Sequence, residues 1–299
     1  MRRFARLLSA AALTAVLATP ATAADEPAFG HPGGEPDYSL EAVRQGFRAV
    51  PRLTRSGLPP SLPFIREVAP RKRIFLKSVL PAILQANEHV RELRGFVRTA
   101  HNLDLNDNYF PGVWQARLRV LAERYHVAPG DTGALLRRID TLPPSLMLAQ
   151  AALETGWGTS RFAHLGNALF GQHVTDPAIP GMIPGGFDET PDFRVRAFPT
   201  LTRAVAAYLR NINTTRAYAG LRAARAEARQ ADRPLDGLAL AGQLTAYSVR
   251  GRDYVRDVRV TIRANDLRDF DDAGLMPAPS RDAPAYVCLG TSQASNAAC

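Results

Sequence analysis

The sequence predicts a mostly helical α+β fold, a helical body interrupted once by a small, irregular β-lobe. Apolar residues recur at helical spacing through the segments on both sides of residue 172. Only His173 to Phe198 breaks that pattern. It holds Pro177, Pro180, Pro184 and Pro191 with Gly181, Gly185 and Gly186, and Phe193 to Phe198 alternates as a strand would. One run, Ser145 to Leu153, is apolar nearly all round, which marks a helix buried on most sides and gives the body a centre.

Taken in order, the chain of 299 residues opens with Arg2, Arg3 and Arg6, an apolar run from Leu7 to Ala18, and the small-x-small site Ala21-Thr22-Ala23. This is the pattern of a secretory signal peptide over residues 1–24, too short to span a bilayer. It predicts an exported protein of the periplasm or cell envelope with no stable membrane anchor. Residues 25–70 are rich in Pro and Gly and read as an arm with one short helix near Leu40 to Phe47. Residues 71–270 read as the main folded domain. Arg71 to Thr99 is its first helix, with Pro81 expected to kink or split it. Helices follow at Val113–Tyr125 and Thr132–Ile139, the latter capped by Asp131, and beyond the lobe at 201–213, 217–229, 235–246 and 254–265. Arg222, Arg225, Arg229 and Arg233 share one helix face, which reads as a solvated stripe. Residues 271–299, rich in Ala, Pro and Ser, read as a flexible or loosely docked tail. It holds both cysteines, Cys288 and Cys299, which an oxidising compartment would permit to pair.

The chemistry concentrates in Leu142 to Gln172, LPPSLMLAQAALETGWGTSRFAHLGNALFGQ. Pro143-Pro144 suits a helix start, where the missing N–H costs nothing. Glu154 comes in the last turn as the first carboxylate after a long apolar approach. Gly156 and Gly158 follow, able to close the helix through a left-handed residue and to let a ligand approach the backbone. Trp157, three residues on, would lie near Glu154 if the helix continued. A lone carboxylate there loses hydration and keeps a proton near neutral pH, as a general acid for glycoside cleavage must. On the residues alone, Glu154 reads equally as that acid or as a structural one, paired with Arg161 or capping backbone amides.

The string LAQAALETGWGTSRFA with GNALFGQ resembles the core motif of the family 73 glycoside hydrolases, and the PRKRIFLKSVLPAI leader points to their Bax-type branch. Thr155 stands where that family usually has Ser, and Ala168 where a second Asn is common. The resemblance implies an endo-β-N-acetylglucosaminidase acting on peptidoglycan glycan strands, cutting the β-1,4 bond after N-acetylglucosamine with Glu154 as proton donor. By analogy it implies a lysozyme-like groove between helical body and β-lobe. It places Tyr247, in LTAYSVRGRDYV, beside the acid; on the residues alone Tyr247 reads equally as a half-buried surface tyrosine. Tyr254 reads as packing. Trp157, Asn167 and Phe170 are the expected groove-lining residues, though Asn167 also suits a turn and Phe170 a core. A second catalytic group would come from Asp176, Asp188, Glu189 or Asp192, with Glu189 preferred, unless the acetamido group of the substrate serves instead.

The formal net charge of +9, or +6 without the three leader arginines, suits an anionic wall matrix. Nucleic acid is the other usual partner of a basic chain, and the export signal argues against it. The six histidines show no metal-binding spacing, there is no Gly-x-Ser-x-Gly elbow, and no cofactor is expected. A monomer is expected. The rival readings on the same motif are a lytic transglycosylase and a non-catalytic wall-binding protein.

Overall fold

A computed structural model describes residues 34–103, 112–185 and 191–278. The signal-peptide segment, Asp188, Glu189 and both cysteines lie outside these residues. The body is helical: α1 Leu40–Arg44, α2 Val68–Asn102, α3 Gly112–Arg124, α4 Thr132–Arg138, α5 Pro144–Thr155, α6 Arg161–Gly166, α7 Leu201–Thr214, α8 Ala219–Gln230, α9 Gly237–Ala241 and α10 Arg252–Ala264. The lobe is a three-stranded antiparallel sheet of β1 His173–Val174, β2 Gly181–Met182 and β3 Arg194–Arg196, with β3 in the middle. The fold is mostly α with a small β part, as the periodicity predicts.

α5 is the centre. From Leu146 to Ala152 every residue is buried, and the helix packs against α2, α9, α10 and a 3-10 turn at Leu267–Phe270. Pro144 takes its first position, and Gly156, left-handed at φ 58°, ends it. Asp271 supplies the start that two prolines cannot. Its carboxylate accepts from Ser145 N at 2.8 Å and Ser145 Oγ at 2.9 Å. Burial pushes the Asp271 carboxyl up to about 6, with the two serine bonds opposing.

Four expectations are corrected. α2 runs unbroken through Pro81 for 35 residues. Proline there leaves the carbonyl of Lys77 without its helical donor, and Tyr38 supplies one, its hydroxyl donating to Lys77 O at 3.1 Å. Tyr38 belongs to the N-terminal arm, so the arm is part of the fold. The boundary expected at residue 70 falls inside α2, and Val50, Leu58 and Leu62 of the arm are fully buried. The tail is docked as far as Met276: Val50 N donates to Gly274 O and Met276 N to Val50 O, both at 2.8 Å. The helix expected over 235–246 is only α9, capped by Asp236 and stopping before Gly242.

The arginine stripe is a further correction. Arg222 and Arg225 are buried, and Arg225 lies under the carbonyls that end α4. Its Nη1 donates to Asp140 O and Thr141 O at 3.1 Å each, and its Nη2 to Asn213 Oδ1 at 2.8 Å. Burial pulls the Arg225 guanidinium down to about 10, with Asp140 opposing. For Asp140 burial works against the charge, yet Arg225, Arg229 and Arg94 together hold its carboxyl below the ordinary aspartate range. A helix surface that would face water in isolation is here a plug that satisfies a helix C-terminus.

Candidate active site

Glu154 sits at the C-terminal turn of α5, open to solvent along one side and walled by protein on the rest. Burial raises its pKa, and an interaction with the hydroxyl of Tyr254 opposes the rise. The backbone on its far side is Gly171, left-handed at φ 59°; a methyl there would stand 3.4 Å from Glu154 Oε2. The glycine that ends the NALFG string therefore keeps space beside the acid.

Behind Glu154 lies a buried relay. Gln150, one turn earlier on α5 and 0 % exposed, accepts from the hydroxyl of Tyr208 and donates through Nε2 to Tyr254 Oη at 3.0 Å. Because the amide is a donor at that contact, the phenol accepts from it and has its own proton left for the Glu154 carboxylate. That last contact is looser than the bonds of the relay, and catalytic hydrogen bonds are commonly loose until substrate binds. Tyr254 comes from α10 and Tyr208 from α7, so three helices converge on one carboxylate. Tyr247 completes the wall. It stacks on Tyr254 with centroids 5.3 Å apart, meets Tyr208 edge-on at 6.4 Å, and donates its hydroxyl to Phe170 O at 3.0 Å. Burial is the main cause raising the pKa of Tyr208, Tyr218, Tyr247 and Tyr254, and each also feels the Glu154 carboxylate.

Two of the three expected groove-lining residues, Asn167 and Phe170, are buried. Phe170 is buried and stacks on Tyr208 at 3.9 Å. Asn167 is 2 % exposed and left-handed at φ 51°; its Nδ2 donates to Ser56 O at 2.6 Å and Phe198 O at 2.8 Å, pinning the arm and the lobe to the motif. Trp157 is half-buried. Successive positive φ at Gly156, Trp157 and Gly158 end the helical spacing from Glu154. The indole packs edge-on against Phe75 at 5.7 Å, under Lys72 Nζ at 4.7 Å. Gly158 serves packing, since a methyl there would meet Leu62 at 2.6 Å and Phe75 at 3.0 Å. Thr155 keeps the hydroxyl of the usual Ser and uses it twice, donating to Ala151 O at 2.6 Å and accepting from Gly158 N at 2.9 Å. Asp176 and Asp192 are exposed in the lobe, and Asp176 caps Ala178 N at 2.9 Å. Tyr254 and Gln150 are the residues sequence reasoning missed. The one local signal was that Gln150 stands four residues before Glu154, one turn behind it on the same helix face.

Among the described residues no group of three His, Cys, Asp or Glu is placed to hold a metal, and no helix is long and apolar enough to cross a membrane. A partly desolvated acid, open to solvent on one side and flanked by tyrosines, suits proton donation to a leaving oxygen.

Comparison with known proteins defines the class. The family model described as mannosyl-glycoprotein endo-β-N-acetylglucosaminidase matches residues 134–267, the span from α4 to the turn after α10. The chain belongs to this glucosaminidase family and is a glycoside hydrolase of the endo-β-N-acetylglucosaminidase type. It is 33 % identical over 210 residues to Protein bax of Escherichia coli (strain K12), a match covering 65 % of this chain and 70 % of that protein. No solved structure matches the chain.

Proposed function

We propose that this glycosidase is exported and cleaves the β-1,4 bond after N-acetylglucosamine in peptidoglycan, with Glu154 as general acid. The observation that carries the proposal is the setting of Glu154, its pKa raised by burial while one side stays open to a ligand. Tyr254 donates to the carboxylate that forms once the proton has gone to the leaving oxygen. Gln150 fixes the direction of that donation, and Tyr247 holds Tyr254 and the Phe170 carbonyl in place. Trp157, on its positive-φ turn, is the aromatic of the motif with exposed surface to offer a sugar ring. Asn167 and Phe170 act from behind, by shaping the turn that ends in Gly171. Glu189 is the proposed second carboxylate. Export rests on the arginine-led apolar stretch before Asp25 and on the basic charge of the remainder.

The test is mass analysis of fragments released from purified peptidoglycan, with Glu189→Gln run in parallel. Reducing N-acetylglucosamine ends support the assigned bond. Anhydromuramic ends would make the protein a transglycosylase. Full activity in Glu189→Gln would exclude Glu189 and leave Asp176, Asp188, Asp192 or the substrate acetamido group as the second participant.

A further inference from the structure

A cavity bordered by described residues is separate from the acid, and its walls are cationic. It lies between the end of α9 and the outer face of α10, has a volume of about 530 Å³, and is lined by Arg252, Arg256, Arg259 and Arg263 with Thr245 and Gly242. The four arginines fall at i, i+4, i+7 and i+11, one stripe of the helix. The buried stripe carries Tyr254, Val258 and Ile262, of which Tyr254 reaches toward Glu154. The cationic groove is therefore on the far side of α10 from the acid.

Like charges three and four residues apart destabilise a helix, and here no acidic side chain lines the groove to offset them. Two of the guanidiniums are engaged by the protein. Arg259 Nε donates to Leu238 O at 2.9 Å, and its Nη2 lies 2.9 Å from where a methyl on Gly242 would be. Arg256 pairs with Asp253 at 3.0 Å on the rim. The guanidiniums of Arg252 and Arg263, at the two ends, make neither a hydrogen bond nor an ion pair with any of the described residues. Preplaced cations at the centre and unengaged ones at the ends describe a receptor for several anionic groups. The ends are about 16 Å apart along the axis, at 1.5 Å per residue. One small ion does not reach both, whereas carboxylates spaced along a chain do. Guanidinium forks match carboxylates in a planar, two-bond geometry.

We infer that this groove binds the carboxylates of peptidoglycan stem peptides and holds the wall on the face of α10 opposite the bond being cut. The inference deepens the proposed function and rests on it for the identity of the polymer. Its test is titration calorimetry at low salt in the Glu154→Gln background, which preserves the strands, with soluble glycan strands either bearing their peptides or stripped of them by an amidase. Arg252→Gln/Arg263→Gln is compared with Arg119→Gln/Arg203→Gln, an equal charge change on exposed arginines elsewhere.

Peptide-bearing strands are expected to bind about five- to tenfold more tightly than stripped ones, an advantage abolished by the groove variant and kept by the control. The groove variant with Glu154 intact cleaves stripped strands at the unaltered rate. Equal binding of the two strands, or equal loss in the control, overturns the inference. Displacement of peptide-bearing strands by polyglycerol phosphate at lower concentration, through the same two arginines, assigns the groove to phosphate polymers and overturns the carboxylate reading. Failure of the parent function looks different: intact protein cleaves neither strand, whatever the calorimetry shows.

Discussion

Replacing Tyr254 by Phe removes one oxygen and tests the electrostatics of the site from two directions. At Glu154, burial raises the pKa and the Tyr254 hydroxyl opposes it, so the variant leaves burial unopposed and the pKa rises further. As the proposed general acid Glu154 works in its protonated form, so the alkaline limb of the kcat/KM profile, which reports its deprotonation, is expected to move to higher pH. The rate falls at the same time, because the carboxylate formed in the transition state has lost a donor. A hydrogen bond to a charged group contributes about 1.5–3 kcal/mol. Glu154 is open on one side and the contact is loose, so the lower end applies, a loss of about tenfold in kcat/KM at the optimum. Stability changes too. Gln150 Nε2, fully buried, loses its acceptor, which costs about 1–3 kcal/mol. The assays are release of dye from labelled peptidoglycan across pH 4–9, a range of about the width such profiles need, and denaturant unfolding of the same protein. An alkaline limb that stays in place or moves to lower pH, with folding intact, would refute the assignment of Tyr254 as the donor to Glu154.

Gly171→Ala brings a methyl to 3.4 Å from Glu154 Oε2 at a left-handed backbone position. It is expected to cost about 1–2 kcal/mol in stability from backbone strain alone, and activity should fall by more than unfolding accounts for, read by melting temperature beside turnover. Asp271→Asn tests the α5 cap through pH. The Asp271 pKa is raised from 3.8 to about 6 by burial, so its contribution to stability is fully present below about pH 4 and is lost as pH rises through about 6. Urea unfolding at several pH values should show that decline in the parent and not in the variant, while Asp271→Ala loses the cap outright at about 1 kcal/mol. Arg225→Met leaves Asp140 and the ends of α4 short of donors, with an expected loss of about 3 kcal/mol or more in chemical denaturation.

These perturbations divide between what the sequence displays and what it hides. The end of α5, the Asp131 cap on α4 and the position of Glu154 are local signals, each readable within a few residues. The relay is not local. Gln150 and Tyr254 are 104 residues apart and meet only because α10 docks on α5, so Tyr254 reads from its neighbours as ordinary packing. The aromatic and amide residues of NALFGQ suggest a sugar groove by type, yet burial decides their use, and Asn167 and Phe170 spend their contacts inside the protein. The arginine stripe of α8 fails as a solvated face for the same reason. What it binds is the carbonyl end of α4, some 85 residues earlier. Pro81 predicts a break that Tyr38 repairs from outside the helix. In each case a non-local partner overrides a sound local rule.

The central claim is that Glu154 delivers a proton to the leaving oxygen, and leaving-group dependence tests it most directly. Glu154→Gln should lose about 10²–10⁴-fold in turnover of peptidoglycan, the usual contribution of a general acid. An aryl chito-oligoside whose phenolate leaves without protonation should be cleaved by the variant with most of that loss recovered. Equal loss on both substrates, or no loss on peptidoglycan, would contradict the account.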